Sequence, residues 1–493
     1  MLLTELLKSI EYEITKGAVN DIEVDSLTYD SRKVTKGSLF VCIKGANSDG
    51  HEFAGEVADK GAAALVTERD VEISAEDTVI IRVKDTRYAL ACLSAAWFGN
   101  PADSLKLIGV TGTKGKTTTT YLTKAILENA GHKVGLIGTI EILWGENRIP
   151  AKNTTPESYV LQETFHDMLR DGVDTVVMEV SSQALMMHRT AGFTFDTAVF
   201  TNIEPDHIGP NEHSDFDDYL SCKAMLFRQC RFALVNGDDP HLEKLLEGCS
   251  CPVMTFGLNA ENTLGGSNDL RAENEALLKI PGELGVSFDI TGSHEIRGLE
   301  VGTPGEFSVY NALCAAGIAL HYNADEGSIR EALKSAHVKG RIEAVKVSDE
   351  FSLVIDYAHN AMALESLLKS LRKYEPGRLI CVFGCGGNRA KSRRYEMGEV
   401  SGKLADLTII TSDNPRFEEP SAIIDDIESS IKKTGGEYVR IEDRKEAIAY
   451  AIRNGRKGDL IILAGKGHED YQEIKGVKYP MDERVLIDEI LGR

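Results

Sequence analysis

At 493 residues the chain is too long for one hydrophobic core and implies about three domains of roughly 150 residues each. Its 42% apolar and 27% charged residues are those of a soluble globular protein. A formal charge of −22 excludes nucleic acid or an anionic membrane as the main partner, because a phosphate surface would be repelled. Any phosphorylated ligand must find its positive charge locally. Met1 to Lys16 carries acidic residues at amphipathic spacing rather than the basic start and apolar core of a secretory leader. No run of about 18 apolar residues occurs, and the nine cysteines are scattered without a C-x-x-C pair. The expectation is a cytoplasmic monomer with reduced thiols and no membrane insertion.

Apolar stretches at Leu39 to Ile43, Ala63 to Val66 and Val79 to Val83 predict short strands, and helical patterns surround them at Thr4 to Ser9, Phe53 to Lys60 and Thr86 to Phe98. This α/β unit is expected to end near Gly99-Asn100-Pro101, a turn signal, giving a first domain of residues 1–102. Two of its loops, Tyr29 to Arg32 and Lys44 to His51, hold short polar side chains such as Ser31 and Asn47. These can hydrogen-bond a sugar or a uracil edge, and they equally cap turns.

The next stretch organises the chain. Leu105 to Val110 predicts a strand and Thr119 to Ala130 a helix, with Gly109-Val110-Thr111-Gly112-Thr113-Lys114-Gly115-Lys116-Thr117-Thr118 between them. Glycines let backbone N–H groups turn inward, the helix N-terminus adds positive potential, Lys116 neutralises phosphate and Thr117 offers magnesium a hydroxyl. ATP is the ligand to expect. The general phosphate-loop spacing wants a glycine where Val110 stands, so this is the compact form Gly-Thr-Lys-Gly-Lys-Thr. Further strands at Lys133 to Ile140, Thr175 to Val180 and Thr197 to Asn202, alternating with helices, imply a doubly wound, mostly parallel sheet in a central domain of residues 103–338. Glu179, at a strand end across from Thr117, is placed to hold Mg2+, although acidic residues at strand ends are commonplace. Asn153-Thr154-Thr155-Pro156-Glu157 reads as a turn with exposed hydroxyls. By themselves His207, just past another strand, and Lys223, on a helix, read as structural or solvated.

The third domain, residues 339–493, reads as a Rossmann-like α/β unit. Strands at Leu353 to Ile355, Leu379 to Phe383, Leu407 to Thr411 and Leu460 to Leu463 lead into Asp356 to His359, Gly384 to Arg389, Ser412-Asp413-Asn414-Pro415-Arg416 and Gly465 to Glu469. Two arginines and a carboxylate at strand ends suit a zwitterion: guanidinium pairs with its carboxylate, Glu469 with its ammonium.

The compact phosphate loop resembles that of the Mur ligases and folylpolyglutamate synthetases, which usually have Asn at the place of Lys114. Glu179-Val180-Ser181-Ser182, Thr201-Asn202-Ile203, Asp206-His207 and Lys223 match the Mur ligase series. Asp30-Ser31-Arg32, Gly37, Leu39 to Val41, Gly45 and Asp49-Gly50-His51 are similar to the nucleotide-sugar domain of MurE-type members. That resemblance covers nearly the whole chain. It implies that Tyr29, Ser31, Ala46, Asn47 and Ser48 hold the UDP-sugar end of a UDP-N-acetylmuramoyl dipeptide, and that Asn153, Thr154, Thr155, Ser181 and Arg189 grip its muramoyl peptide. ATP is assigned to Gly112 to Thr118, Asn311, Arg341 and His359. Lys116, Glu179, His207 and Lys223 are assigned to catalysis, with Thr117, Glu179, His207 and a Lys223 carbamate, formed with carbon dioxide, as ligands of Mg2+. Arg389, Asp413, Asn414, Pro415, Arg416, Gly465 and Glu469 match the branch that adds the diamino acid meso-diaminopimelate, whereas lysine-adding members typically replace the residue at Arg416. The implied activity is ATP-dependent amide ligation through an acyl phosphate in peptidoglycan synthesis. Its rivals are a Mur ligase adding lysine or another amino acid, a folylpolyglutamate synthetase, which would leave the first-domain series unexplained, and a nucleotide-binding paralogue without turnover.

Overall fold

The computed structural model spans residues 1–493; its described residues are all but Ala46, Asn47, His207, Pro210, Asn211, Pro281, Gly282 and Ala336, and the side chains of Ile280 and Glu283. Two compact units divide the chain: Met1–Asp269 with Cys314–Asp325, and Leu270–Leu313 with Glu326–Arg493.

The first unit holds two sheets. In the N-terminal one the strands lie in the order Glu13–Lys16, Val79–Arg82, Ala64–Thr67, Ser38–Val41, Ser26–Thr28, all parallel except the antiparallel edge strand Glu13–Lys16. Ser38–Val41 and Ala64–Thr67 are buried along their whole length, as continuous apolar strands covered on both faces require. The helix Thr86–Trp97 starts where Asp85 accepts the Tyr88 N–H at 2.8 Å, a side-chain N-cap.

The central sheet runs Val253–Gly257, Cys230–Asn236, Phe195–Phe200, Lys106–Thr111, Thr175–Glu179, Val134–Ile137, Glu141–Trp144, Asn147–Pro150. Its first six strands are parallel and the last two form an antiparallel hairpin. The expected doubly wound, mostly parallel α/β sheet is therefore present. Gly109, in the middle of Lys106–Thr111, is where the ring of Phe195 lies; a Cβ there would come within 2.7 Å of it. The strand expected over Lys133 to Ile140 is shorter than the apolar run, ending at Ile137. At Gly138 the chain turns away, its N–H donating to the Glu141 carbonyl, which starts the hairpin.

The second unit holds an antiparallel set, Leu270–Ile280, Glu283–Gly292 and Ile296–Val301, and a six-stranded sheet. The latter's order is Glu343–Val345, Ser352–Asp356, Leu460–Ala464, Leu379–Phe383, Leu407–Ile410, Tyr438–Arg440, parallel but for its first strand. Asp356 pairs with Ala464, and Phe383 with Ile410, so the loops after these four strands leave from one edge. Ligands bind at that carboxyl edge in open α/β sheets. No helix among the described residues is long and apolar enough to cross a membrane.

Candidate active site

The phosphate loop has the backbone its glycines predict. Gly112 (φ +151°) and Gly115 (φ +84°) both lie at positive φ, where a side chain is strained; a Cβ on Gly112 would also overlap the Thr201 hydroxyl. Gly115 caps the helix Lys116–Asn129, so Lys116 and Thr117 occupy its first turn. The strand end Thr201 to Glu204 braces the loop from below. Asn202 accepts the Thr113 N–H on its carbonyl and the Lys114 N–H on its side chain, both at 2.9 Å, and Thr201 Oγ1 donates to the Lys114 carbonyl at 2.7 Å. Lys114 Nζ sits 2.6 Å from a carboxylate oxygen of Glu204, which offsets the charge that distinguishes this loop from the Asn-bearing form.

Two ammonium groups meet at one carbonyl. Lys116 Nζ donates to the Gly112 oxygen at 2.7 Å, and Lys223 Nζ, arriving from the helix Phe216–Ala224, donates to the same oxygen at 2.9 Å. Lys223 is buried and lies over the Tyr219 ring. Burial first, then the nearby Lys116 charge, push its amine well below the ordinary lysine range, against the opposing pull of Asp206. Opposite, Glu179 is 1% exposed and fully engaged by short donors. Oε1 accepts from Thr117 Oγ1 at 3.0 Å and the Thr139 N–H at 2.8 Å, and Oε2 from Thr139 Oγ1 at 3.0 Å. The turn that ends the Val134–Ile137 strand is what delivers Thr139. A hydroxyl and a carboxylate beside a phosphate loop are oxygen donors of the kind a hard cation takes.

Below Glu179, Thr155 donates to the Glu179 carbonyl at 2.9 Å and accepts the Ser181 N–H at 3.1 Å, while Ser181 caps the helix Ser182–Met186. Arg189 donates to the Thr155 carbonyl at 3.1 Å and pairs with Glu157. Arg87 joins that carboxylate at 3.2 Å and donates to the Lys44 carbonyl at 2.9 Å, tying the Lys44 to His51 loop to this segment. Thr154, Thr155, Ser181 and Arg189 are thus one polar neighbourhood, with Asn153 exposed at its rim. In the N-terminal domain the capping reading holds for Asp30 and Asp49, which accept the N–H groups of Arg32 and His51. Ser48 accepts the Gly45 N–H on its carbonyl, the Ser31 carbonyl accepts from Lys60, and half-buried Tyr29 packs against Tyr159. Ala46, Asn47 and His207 lie outside the described residues.

In the second unit, strand ends gather a denser charge network. Lys466, wholly buried, donates to Asn414 Oδ1 at 3.0 Å, to Glu469 Oε2 at 2.8 Å and to the Tyr471 carbonyl. Asn414 Nδ2 reaches the same Glu469 oxygen at 2.8 Å. Arg416, at φ +52°, donates to the Gly387 carbonyl at 2.7 Å and pairs with Glu473 at 3.3 Å. Glycines bring these loops together: a Cβ on Gly387 would overlap the Pro415 carbonyl, and one on Gly465 would reach Asp413 at 3.0 Å. Arg389 is exposed and makes no hydrogen bond or ion pair to another described residue. Arg341 stacks over Tyr357, whose ring lies 4.7 Å from those of both His359 and His468, and Arg341 Nε is buried without a hydrogen-bond partner among the described residues. Asn311 is buried in the helix Glu306–His321. Thr139, Lys466 and His468 were not singled out from sequence. Only the last two had a signal, their place in the Gly465 to Glu469 strand-end loop.

Known proteins show the same organisation. The Mur ligase family catalytic domain matches residues 23–98, the Mur ligase middle domain residues 110–319, and the Mur ligase glutamate ligase domain residues 340–467. The chain is 44% identical, over all of its length and 99% of the other's, to the UDP-N-acetylmuramoyl-L-alanyl-D-glutamate--2,6-diaminopimelate ligase of Caldanaerobacter subterraneus subsp. tengcongensis. The like-named protein of Clostridium botulinum is 41% identical over the same shares. A solved structure of a ligase of that name superposes with a TM-score of 0.73 at 27% identity, covering 100% of this chain and 99% of that one. The MurF ligase of Thermotoga maritima in complex with ADP shares the fold at a TM-score of 0.59 and 19% identity, covering 96% of this chain and 97% of that one. With its phosphate loop, its three matched domains and full-length relatives, the chain belongs to the Mur ligase family.

Proposed function

We propose that this chain is an ATP-dependent, ADP-forming amide ligase that joins meso-diaminopimelate to UDP-N-acetylmuramoyl-L-alanyl-D-glutamate in peptidoglycan synthesis. The observation that carries the reading is the 44% identity to a 2,6-diaminopimelate ligase with no part of this chain left uncovered. In the proposed reaction a substrate carboxylate oxygen bonds to the γ-phosphorus of ATP and ADP leaves. The diaminopimelate amine then adds to the acyl-phosphate carbonyl, and phosphate departs from the tetrahedral adduct as the new amide forms.

The residues divide that work. Gly112 to Thr118 cradle the triphosphate, and Lys116 offsets charge on the transferring phosphoryl group, the main need in such steps. Lys116 exchanges its bonds to the Gly112 and Thr113 carbonyls for phosphate oxygens. Asn311, Arg341 and His359 take the rest of the nucleotide. Thr117, Glu179, His207 and Lys223 would hold Mg2+, which when bound supplies charge neutralisation. An ammonium at Lys223 would repel that ion, but burial lowers its pKa and so eases release of its proton; the free amine then adds to carbon dioxide, and loss of a further proton gives an anionic carbamate. Tyr29, Ser31, Ala46, Asn47 and Ser48 take the UDP-sugar, and Asn153, Thr154, Thr155, Ser181 and Arg189 the peptide. Arg389, Asp413, Asn414, Pro415, Arg416, Gly465 and Glu469 take the diamino acid, in domains of residues 1–102, 103–338 and 339–493. The enzyme works as a cytoplasmic monomer, which suits nine free thiols.

Phosphate release from ATP and Mg2+ with the UDP-muramoyl dipeptide, comparing meso-diaminopimelate with L-lysine, tests this. Strong preference for diaminopimelate is expected. Preference for lysine overturns the acceptor, and no release with either overturns the ligase.

A further inference from the structure

Lys466 is a charged side chain that the proposed reaction leaves unused, and it lies wholly buried within the strand-end cluster of the second unit. It follows the strand Leu460–Ala464 between Gly465 (φ +106°) and Gly467 (φ +51°), so the backbone turns on both sides of it in a region where a side chain would be strained. Its ammonium has three N–H donors, and all three are spent, on Asn414 Oδ1 at 3.0 Å, Glu469 Oε2 at 2.8 Å and the Tyr471 carbonyl. Tyr471 opens an antiparallel hairpin, Tyr471–Ile474 and Val477–Pro480, whose first strand is bonded to the Ser412 to Arg416 loop. Gln472 donates to the Asp413 carbonyl at 2.7 Å, the Glu473 N–H to Asn414 Oδ1 at 2.9 Å and the Arg416 N–H to the Glu473 carbonyl at 2.9 Å. One ammonium therefore joins the loop that carries it, the Ser412 to Arg416 loop and the hairpin.

We propose that Lys466 is a positioning residue for the acceptor amino acid, an inference that rests on the proposed function: it orients Asn414 and anchors one oxygen of Glu469, so that the other oxygen receives the acceptor's ammonium. An asparagine amide fits its space either way round, but a lysine ammonium and a backbone N–H can only donate. With Lys466 and the Glu473 N–H on one side of Asn414, its oxygen must lie there, and Nδ2 is left to face Glu469, donating to Oε2 at 2.8 Å. Glu469 Oε2 then holds two donors. Among the described residues Oε1 meets only the Tyr357 hydroxyl, at 3.5 Å, too long for a good hydrogen bond. The carboxylate is anchored at one oxygen and open at the other, the form in which it can pair with a cation. Lys466 itself has no donor left for a ligand. Burying an ammonium is costly, and an apolar side chain of the same volume would pack the three loops without that cost; what it would not supply is the orientation of Asn414 and Glu469. Lys466 also offsets the Glu469 charge, an effect of opposite sign on acceptor affinity, so the direction of the change on removing it separates positioning from mere neutralisation.

The test is steady-state phosphate release by the full-length chain carrying Lys466→Met, with meso-diaminopimelate, ATP and the UDP-muramoyl dipeptide varied in turn. The expected result is a KM for diaminopimelate raised roughly tenfold, the worth of one hydrogen bond to a charged group, with the other two KM values unchanged. Lys466→Met combined with Glu469→Gln should raise the diaminopimelate KM no further than Glu469→Gln alone, because a residue that acts through Glu469 has nothing left to orient. If Lys466→Met folds poorly, Lys466→Gln, which keeps a donor in the same space, serves in its place and should give a smaller rise confined to the same substrate. A diaminopimelate KM that is unchanged or lowered, a rise equal for all three substrates, or additive losses in the double variant overturns the proposal while leaving the ligase intact. If the wild type prefers lysine, the same shifts are expected in the KM for lysine, whose ammonium is the same. No release from the wild type with either acceptor overturns the proposed function and this inference with it.

Discussion

The phosphate-loop region and the strand-end cluster of the C-terminal sheet, to which the proposed function gives anionic and zwitterionic ligands, are built from opposite materials. Around the loop the fixed framework is backbone and hydroxyl: Glu179 is held by Thr117 and Thr139, and the two lysines rest on a carbonyl. In the C-terminal cluster the charges already hold one another: Lys466 with Glu469, Arg416 with Glu473, Arg444 with Glu483. On the proposed reading, Lys116 can turn to a ligand by giving up bonds to neutral carbonyls only. If the cluster takes the diamino acid as proposed, it must exchange internal pairs for substrate contacts, so part of each contact is cancelled. Truncation should therefore strike turnover at the loop, and acceptor affinity or plain stability at the cluster.

The largest effect belongs to Lys116→Met. With the transferring phosphoryl group left without its cation, phosphate release should fall roughly ten-thousandfold, about 5.5 kcal/mol, with the urea unfolding midpoint little moved; equal losses in both would erase the distinction between the regions. Arg444→Met should do the reverse. It strands Glu483, wholly buried at 2.8 Å from the guanidinium, and destabilises by about 4 kcal/mol in urea unfolding while leaving the KM for diaminopimelate unchanged.

Next comes a pH effect confined to the cluster. Burial, then Arg341, Lys339 and Arg484, hold His468 at a pKa of about 4 instead of 6.5. Folding stability should therefore fall as pH drops from about 6.5 through about 4, because only the unfolded chain takes up that proton, and it should level below this window. The loss is up to about 3 kcal/mol at about 1.4 kcal/mol per pH unit. His468→Gln should flatten that slope in unfolding measured across the window. The smallest effect is Arg416→Ala: a rise of roughly thirtyfold, about 2 kcal/mol, in the KM for diaminopimelate, with lysine barely affected because it lacks the second carboxylate. An equal rise for both acceptors would move the guanidinium's role from substrate to the Glu473 pair.

Much of this architecture is legible in the residues themselves. The phosphate loop declares itself because glycine, lysine and threonine at that spacing, between an apolar run and a helix, have few other uses. The buried strands Ser38–Val41, Thr175–Glu179, Leu379–Phe383 and Leu460–Ala464 declare themselves as unbroken apolar runs. Local pattern was poorer where edge strands are short or exposed, as in the hairpin Glu141–Trp144 and Asn147–Pro150, whose second strand is exposed throughout.

What no local pattern contains is partnership across sequence distance. The sequence by itself determined which side chains carry charge and which strand ends they leave from, because alternation, glycine and capping act over a few residues. Only the tertiary structure decided that Thr139 would hold Glu179, that Lys116 and Lys223 would share the Gly112 carbonyl across 111 residues of chain from the latter, and that Cys230 would meet Cys251. Those pairings follow from strand order and register, which arise when the whole sheet packs at once and its buried polar groups must each find a partner.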